Sequence, residues 1–158
     1  DLEYLNIGSG IQPFNAWLLI RGLRTLPSRL ERITRTTGQV ISFMKDHPKV
    51  DRLIYPFDPS FPQYELAKRQ MKGACGLFTF TLKNGTVASI TRFCDSLKHI
   101  LMAVSWGGHE SLVIPKCAGI PPEDFNPSEP AHQYIRMYVG LEEAEYLVSD
   151  LEQALDKV

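Results

Sequence analysis

Chemistry-bearing residues are sparse in this chain, and they gather in two places. The first is Ser105-Trp106-Gly107-Gly108-His109-Glu110-Ser111-Leu112. Two adjacent glycines let the backbone turn sharply or approach a ligand closely. The plainer reading is a turn that ends a strand. The segment does not fit the Gly-x-Ser-x-Gly nucleophile elbow. His109, Glu110 and Ser111 are triad-type residues, but they are sequence neighbours, and neighbours seldom point at one another, so no triad is expected. The second place is Arg136, between Ile135 and Met137 and on one strand face with Tyr134 and Tyr138. A guanidinium in a central strand is costly unless something anionic meets it. Its planar fork matches a carboxylate. Two structural alternatives stand beside that: a salt bridge to an internal Asp or Glu, or a solvated outer face.

Other candidates carry less. Arg21, Arg24, Arg29, Arg32 and Arg35 read as a solvated helix surface. His47, His99 and His132 stand alone, without metal-ligand spacing. No phosphate-cradling glycine loop or dinucleotide fingerprint is present. Cys75, Cys94 and Cys117 are odd in number and far apart. They read as small core residues in a reducing, cytoplasmic compartment.

The elements that must position these residues follow from periodicity. Gly8-Ser9-Gly10 reads as a flexible lead-in. Pro13 opens a helix with Phe14, Trp17, Leu18 and Leu19, and Gly22 and Pro27 argue against one unbroken helix. A second helix starts near Pro27, with Leu30, Ile33, Thr37, Val40, Ile41 and Met44 at helical spacing, and ends at Asp46-His47-Pro48. Val50–Tyr55 reads as a strand, followed by a proline-rich loop and a short helix over Tyr64–Met71. Phe78, Phe80 and Leu82 alternate with Thr79 and Thr81, which is strand periodicity. Asn84-Gly85 turns the chain into a helix marked by Val87, Ile90, Cys94 and Leu97. Ile100–Val104, Leu112–Pro115 and Tyr134–Val139 read as strands, the last ended by Gly140. Pro121–Pro130 is loop. Ala144, Leu147, Val148, Leu151 and Leu155 stripe a final helix whose start carries Glu142, Glu143 and Glu145. The order helix, helix, strand, strand, helix, strand, strand, helix predicts an α/β (α+β type) fold. It has a small mixed, mostly antiparallel sheet with helices on one face.

Length and charge bound the rest. The chain has 158 residues, 44% hydrophobic and 22% charged, which suits one globular domain. Seventeen Lys and Arg against eighteen Asp and Glu give a net charge of -1. That balance argues against nucleic-acid and anionic-membrane partners. Apolar runs are too short to span a bilayer. The chain opens with Asp-Leu-Glu and lacks an initiator Met, which is expected of a processed or excised piece.

Taken together, the segments resemble a family. Pro13-Phe14-Asn15-Ala16-Trp17 with Ile20-Arg21-Gly22-Leu23-Arg24-Thr25-Leu26, then His47-Pro48-Lys49-Val50 and Tyr55-Pro56, are its first blocks. Ala103 to Gly108 with Glu110-Ser111-Leu112, and Tyr134 to Glu142, are the later ones. In this order they resemble the C-terminal domain of the transsulfuration enzymes, the pyridoxal-phosphate enzymes of cysteine and methionine metabolism such as cystathionine beta-lyase, cystathionine gamma-lyase and methionine gamma-lyase. The resemblance implies the small domain of a fold-type I enzyme over 1–158, with 1–27 a linker and lead-in helix, 28–158 the sheet-and-helix domain, and the large cofactor domain absent. It implies that Arg136 binds the substrate's α-carboxylate, with Ser105 and Trp106 beside it. Trp106 looks like the beta-lyase branch. It further implies a cytoplasmic, homotetrameric parent acting on a sulfur amino acid as a C–S lyase or transferase. No Ser-x-Thr-Lys segment is present, so the Schiff-base lysine and pyridoxal phosphate belong to the parent's large domain, and this chain alone is expected to bind no cofactor and be inactive. The stretch near Cys117-Ala118-Gly119 departs from the family's Pro-Ala-x-x-Thr-His pattern. The alternative is a stand-alone carboxylate-binding or interaction module without catalysis.

Overall fold

The computed structural model describes residues 10–158. Gly8 and Ser9 of the expected lead-in, and the first residues of the 1–27 segment, lie outside the described residues. The chain divides into two compact units, one ending at Glu31 and one spanning Arg32–Val158.

The first unit carries α1 (Pro13–Arg24) and the opening turns of α2 (Leu26–Asp46). Pro13 occupies the first helical turn, where a missing N–H costs nothing. The break between the helices falls on Thr25, whose hydroxyl donates to the Gly22 carbonyl at 3.2 Å. No residue of α1 is buried. Leu30, expected in the apolar stripe of α2, is also exposed.

The second unit is built on five strands: β1 (Val50–Ile54), β2 (Leu77–Leu82), β3 (Leu101–Met102), β4 (Leu112–Pro115) and β5 (Ile135–Tyr138). Helix α3 (Tyr64–Gln70) lies between β1 and β2, α4 (Val87–Ser96) between β2 and β3, and α5 (Ala144–Leu155) follows β5. The sheet order is β1-β2-β5-β4-β3. All neighbours are antiparallel except β3 and β4, which run parallel. The sheet is therefore mixed and mostly antiparallel, as the sequence predicts.

Alternation decides which face is covered. Phe78 pairs with Met137, Phe80 with Ile135, and Val113 with Met137. These residues pack with Val40 and Met44 of α2, Ile90 and Phe93 of α4, and Leu147 and Leu151 of α5 in one core. The opposite face carries Thr79, Ile114 and Arg136 in register. It is covered toward its Tyr138 end, where Ile33 packs with Leu112 and Tyr138.

Three expectations need correction. Ile100–Val104 shrinks to the two residues of β3, and both are exposed. The segment is a sheet edge with a partner on one side only, so apolar character there does not mean burial. Thr81, expected on the polar face of β2, is buried at 3%, with its hydroxyl donating to Asp51. Arg32 is not a merely solvated helix residue. Its Nε donates to the Leu141 carbonyl at 2.6 Å and its Nη2 pairs with Glu143 at 2.8 Å. Of the cysteines, only Cys94 is fully buried, and burial pushes its thiol up to about 12.

Asp150, buried on α5 at 2% exposure, ties the sheet edge to the helix layer. Its carboxylate accepts the N–H groups of Lys98, His99 and Ile100 at 2.9, 2.9 and 3.0 Å. Burial works to raise its pKa, but those three donors and the Gln153 amide bring it below the usual value.

Candidate carboxylate-binding face

Arg136 sits mid-strand on β5, the centre of the sheet, between β2 and β4. Its cross-strand neighbours are Thr79 and Ile114, so its side chain leaves the sheet on the open face. There it enters a cleft of about 530 Å³ walled by Val104, Ile114, Pro115 and Tyr134. Its Nη2 donates to the Val104 carbonyl oxygen. The salt-bridge alternative for its charge does not hold: among the described residues no Asp or Glu pairs with it, and its side chain is partly exposed on the open face. A fork held by one neutral carbonyl still has N–H groups to offer an anion.

Ser105 follows Val104 directly, so it starts the loop at the carbonyl that meets Arg136. Ser105 and Trp106 are both exposed, with Trp106 at 58%. Neither lines the cleft. Gly107 adopts φ +89°, a left-handed conformation that favours glycine.

The rest of the 105–112 block has a different job from the one its residue types suggest. His109 Nδ1 does lie 3.0 Å from Glu110 Oε2, so these neighbours meet after all, on an exposed loop. Ser111 turns away from both. It is 1% exposed; its hydroxyl donates to Glu142 Oε2 at 2.8 Å, and its amide donates to Glu142 Oε1 at 2.7 Å. The same hydroxyl oxygen accepts the Gly140 N–H at 2.9 Å. The Leu141 N–H donates to the His109 carbonyl at 2.7 Å, and the Tyr138 hydroxyl donates to the Gly108 carbonyl at 3.0 Å. The Glu110-Ser111-Leu112 and Val139-Gly140-Leu141-Glu142 motifs therefore clasp each other and fix the loop at the end of β5. No triad forms.

Two further features stand outside the sequence reading. Lys116 also lines the cleft, carried by a 3₁₀ turn over Lys116–Gly119. A second depression of about 480 Å³ lies beside β1. Its Asp58 is already neutralised: Lys45 Nζ stands 2.8 Å away, and the Ser60 N–H donates to it at 2.8 Å. Burial raises the Asp58 carboxyl, and the bonds from Lys45 and Ser60 more than reverse this. The first cleft differs in that its guanidinium has no acid paired with it among the described residues. Among the described residues no group of His, Cys, Asp and Glu could hold a metal ion. No helix among them is long and apolar enough to cross a membrane.

The chain matches the family of Cys/Met metabolism PLP-dependent enzymes over residues 2–156. It is 39% identical over 156 residues to cystathionine gamma-lyase of Dictyostelium discoideum, a stretch covering 96% of this chain and 40% of that protein. It is 40% identical over 155 residues to L-methionine gamma-lyase of Treponema denticola, covering 96% of this chain and 38% of the relative. Its fold is similar to cystathionine gamma synthase from Xanthomonas oryzae pv. oryzae, solved in complex with aminoacrylate and cysteine. The TM-score is 0.82 at 31% identity, over 96% of this chain and 40% of that one. The chain thus spans about 40% of the length of the relatives it matches. Residue blocks and sheet order lead to one place: the chain belongs to the Cys/Met metabolism PLP-dependent enzyme family.

Proposed function

We propose that this chain is the C-terminal, substrate-carboxylate-binding domain of a pyridoxal-phosphate-dependent C–S lyase or transferase of sulfur amino acids. The observation that carries the reading is Arg136: a guanidinium on the open face of a central strand, in a partly apolar cleft, with no acid beside it among the described residues. A bidentate bond to an α-carboxylate completes its donors and fixes the substrate's orientation. The Val104 carbonyl holds the fork in place. Ser105 and Trp106, next along the chain, are the remaining proposed substrate contacts.

Bound in the intact parent, pyridoxal phosphate supplies the electron sink for C–S bond chemistry. The described residues do not fit the cofactor itself. Seven of the eight lysines (45, 68, 72, 83, 98, 116 and 157) are exposed. The eighth, Lys49, gives its ammonium to the Leu155 carbonyl at 2.8 Å. A Schiff-base lysine needs an enclosed site that makes its amine nucleophilic, and none of these has one. No step of the chemistry is therefore assigned to this chain, and the cofactor lysine is assigned to the rest of the parent. Free thiols at Cys75, Cys94 and Cys117 suit a reducing compartment, and a cytoplasmic, homotetrameric parent is part of the proposal.

Two experiments test it. In an intact parent, Arg136→Ala is expected to raise KM for the amino acid about a hundredfold and to lower kcat. Unchanged kinetics would remove Arg136 from substrate binding. On the chain itself, pyridoxal phosphate and borohydride followed by peptide mapping should label no lysine selectively. Saturable labelling of one lysine would return the cofactor site to this chain.

A further inference from the structure

We infer that the Arg136 cleft is built for a ligand with two carboxylates, Arg136 taking one and Lys116 the other. This rests on the reading of Arg136 as a carboxylate clamp. The strand ladder supplies the geometry. Ile114 stands opposite Arg136, and Pro115 opposite Ile135. The Lys116 N–H then donates to the Tyr134 carbonyl at 2.8 Å, which carries the ladder one step further. Residues two apart on a strand share a face. Lys116 therefore emerges beside Ile114, Tyr134 and Arg136, and all four line the same cleft. Diagonal neighbours across a strand pair lie about 7–8 Å apart. Two long cationic side chains from such positions can hold the two ends of a diacid of glutarate length.

Charge gives the second argument. The cleft lining contains Lys116 and Arg136 and no Asp or Glu. Neither cation joins an ion pair among the described residues. Elsewhere in the same unit, Lys45 pairs with Asp58, Lys68 with Glu65, and Arg32 with Glu143. Two like charges on one face of a sheet repel, and an apolar wall strengthens that field. A monocarboxylate answers one of them and leaves the other exposed to its neighbour. A dicarboxylate answers both.

The test is a ¹H–¹⁵N NMR titration of the 158-residue chain at constant ionic strength and neutral pH. The probes are glutarate and monomethyl glutarate, matched in length but differing by one charge. Glutarate is expected to bind about five- to tenfold more tightly. In Lys116→Gln the two should bind alike, and in Arg136→Gln both should weaken at least about fivefold. Lys116 is exposed and its side chain makes no hydrogen bond or ion pair among the described residues, so its variant should keep the wild-type backbone shifts away from the cleft. Equal affinities in the wild type, with binding still dependent on Arg136, overturn the role of Lys116 and leave the Arg136 clamp standing. Binding indifferent to Arg136→Gln, or no binding of either probe, overturns both.

Discussion

At the scale of single residues, the densest motif in the chain turns out to be mostly structural. Gly140 shows why. A Cβ placed there would stand 2.3 Å from the His109 carbonyl oxygen and 2.6 Å from the Glu110 carbonyl carbon. Both are backbone atoms, so nothing flexible can yield. Gly140→Ala is expected to cost about 3 kcal/mol, at the upper end for overpacking, and urea unfolding would measure it. A cost below about 0.5 kcal/mol, the range of an ordinary surface change, would mean that the clasp gives way freely. The sequence offers Ser111 as a triad-type residue, because residue type is visible and direction is not. What betrays its role is the Glu142 carboxylate, which comes from a motif about thirty residues later and can only be joined to Ser111 in space. Arg136 is legible for the opposite reason. A cation flanked by Ile135 and Met137 in a strand announces a conflict between charge and burial, and alternation alone aims it away from the core. Lys116 is missed because it lies just past its strand, in a stretch whose sequence gives no period to follow.

At the scale of elements, legibility tracks how one-sided the burial is. β2 and α5 are read well, because the apolar residues of each recur on a face that meets the core. The stripe on α5 hides one exception, Asp150, whose partners are backbone N–H groups that no side-chain pattern reveals. β3 is overcalled at five residues for the complementary reason: it is an apolar edge. α1 breaks the rule most plainly. Phe14, Trp17, Leu19, Ile20 and Leu23 are each more than half exposed, and they fall all round the helix rather than on one stripe. A helix apolar on every side belongs in an interior. The isolated chain is therefore expected to self-associate in the micromolar range, seen as a sedimentation coefficient that rises with concentration. Leu19→Glu with Leu23→Glu should restore a monomer without changing the far-UV spectrum of the rest. A wild-type chain that stays monomeric at hundreds of micromolar would show that α1 does not drive association.

At the scale of the whole molecule, the family assignment rests on the order of blocks, and the sheet explains why that order is readable. The two later blocks mark a place where chain segments remote in sequence must meet: Ser111 against Glu142, and Gly140 against the loop. The same kind of contact sets the response to acid. Asp58 and Asp150 are the buried carboxylates among the described residues, and both are held below the ordinary carboxylate value despite burial. A carboxyl whose pKa is lower folded than unfolded contributes its stability fully above the unfolded value of about 3.9. That contribution is lost as pH falls through the folded value. Stability should thus be flat from neutral pH to about 5 and fall steeply below about 4. Asp150→Asn sharpens the test. It replaces one of two oxygens that serve three N–H donors with an NH₂ group, which faces a donor and cannot accept from it. At pH 7 this should cost about 2–3 kcal/mol. The loss between pH 5 and pH 3 should also be smaller than in the wild type, since one of the titrating groups is gone. Urea midpoints at half-unit pH steps would measure both. Parallel wild-type and Asp150→Asn curves would mean that the Asp150 carboxylate, with its three backbone donors, is not what acid undoes in this fold.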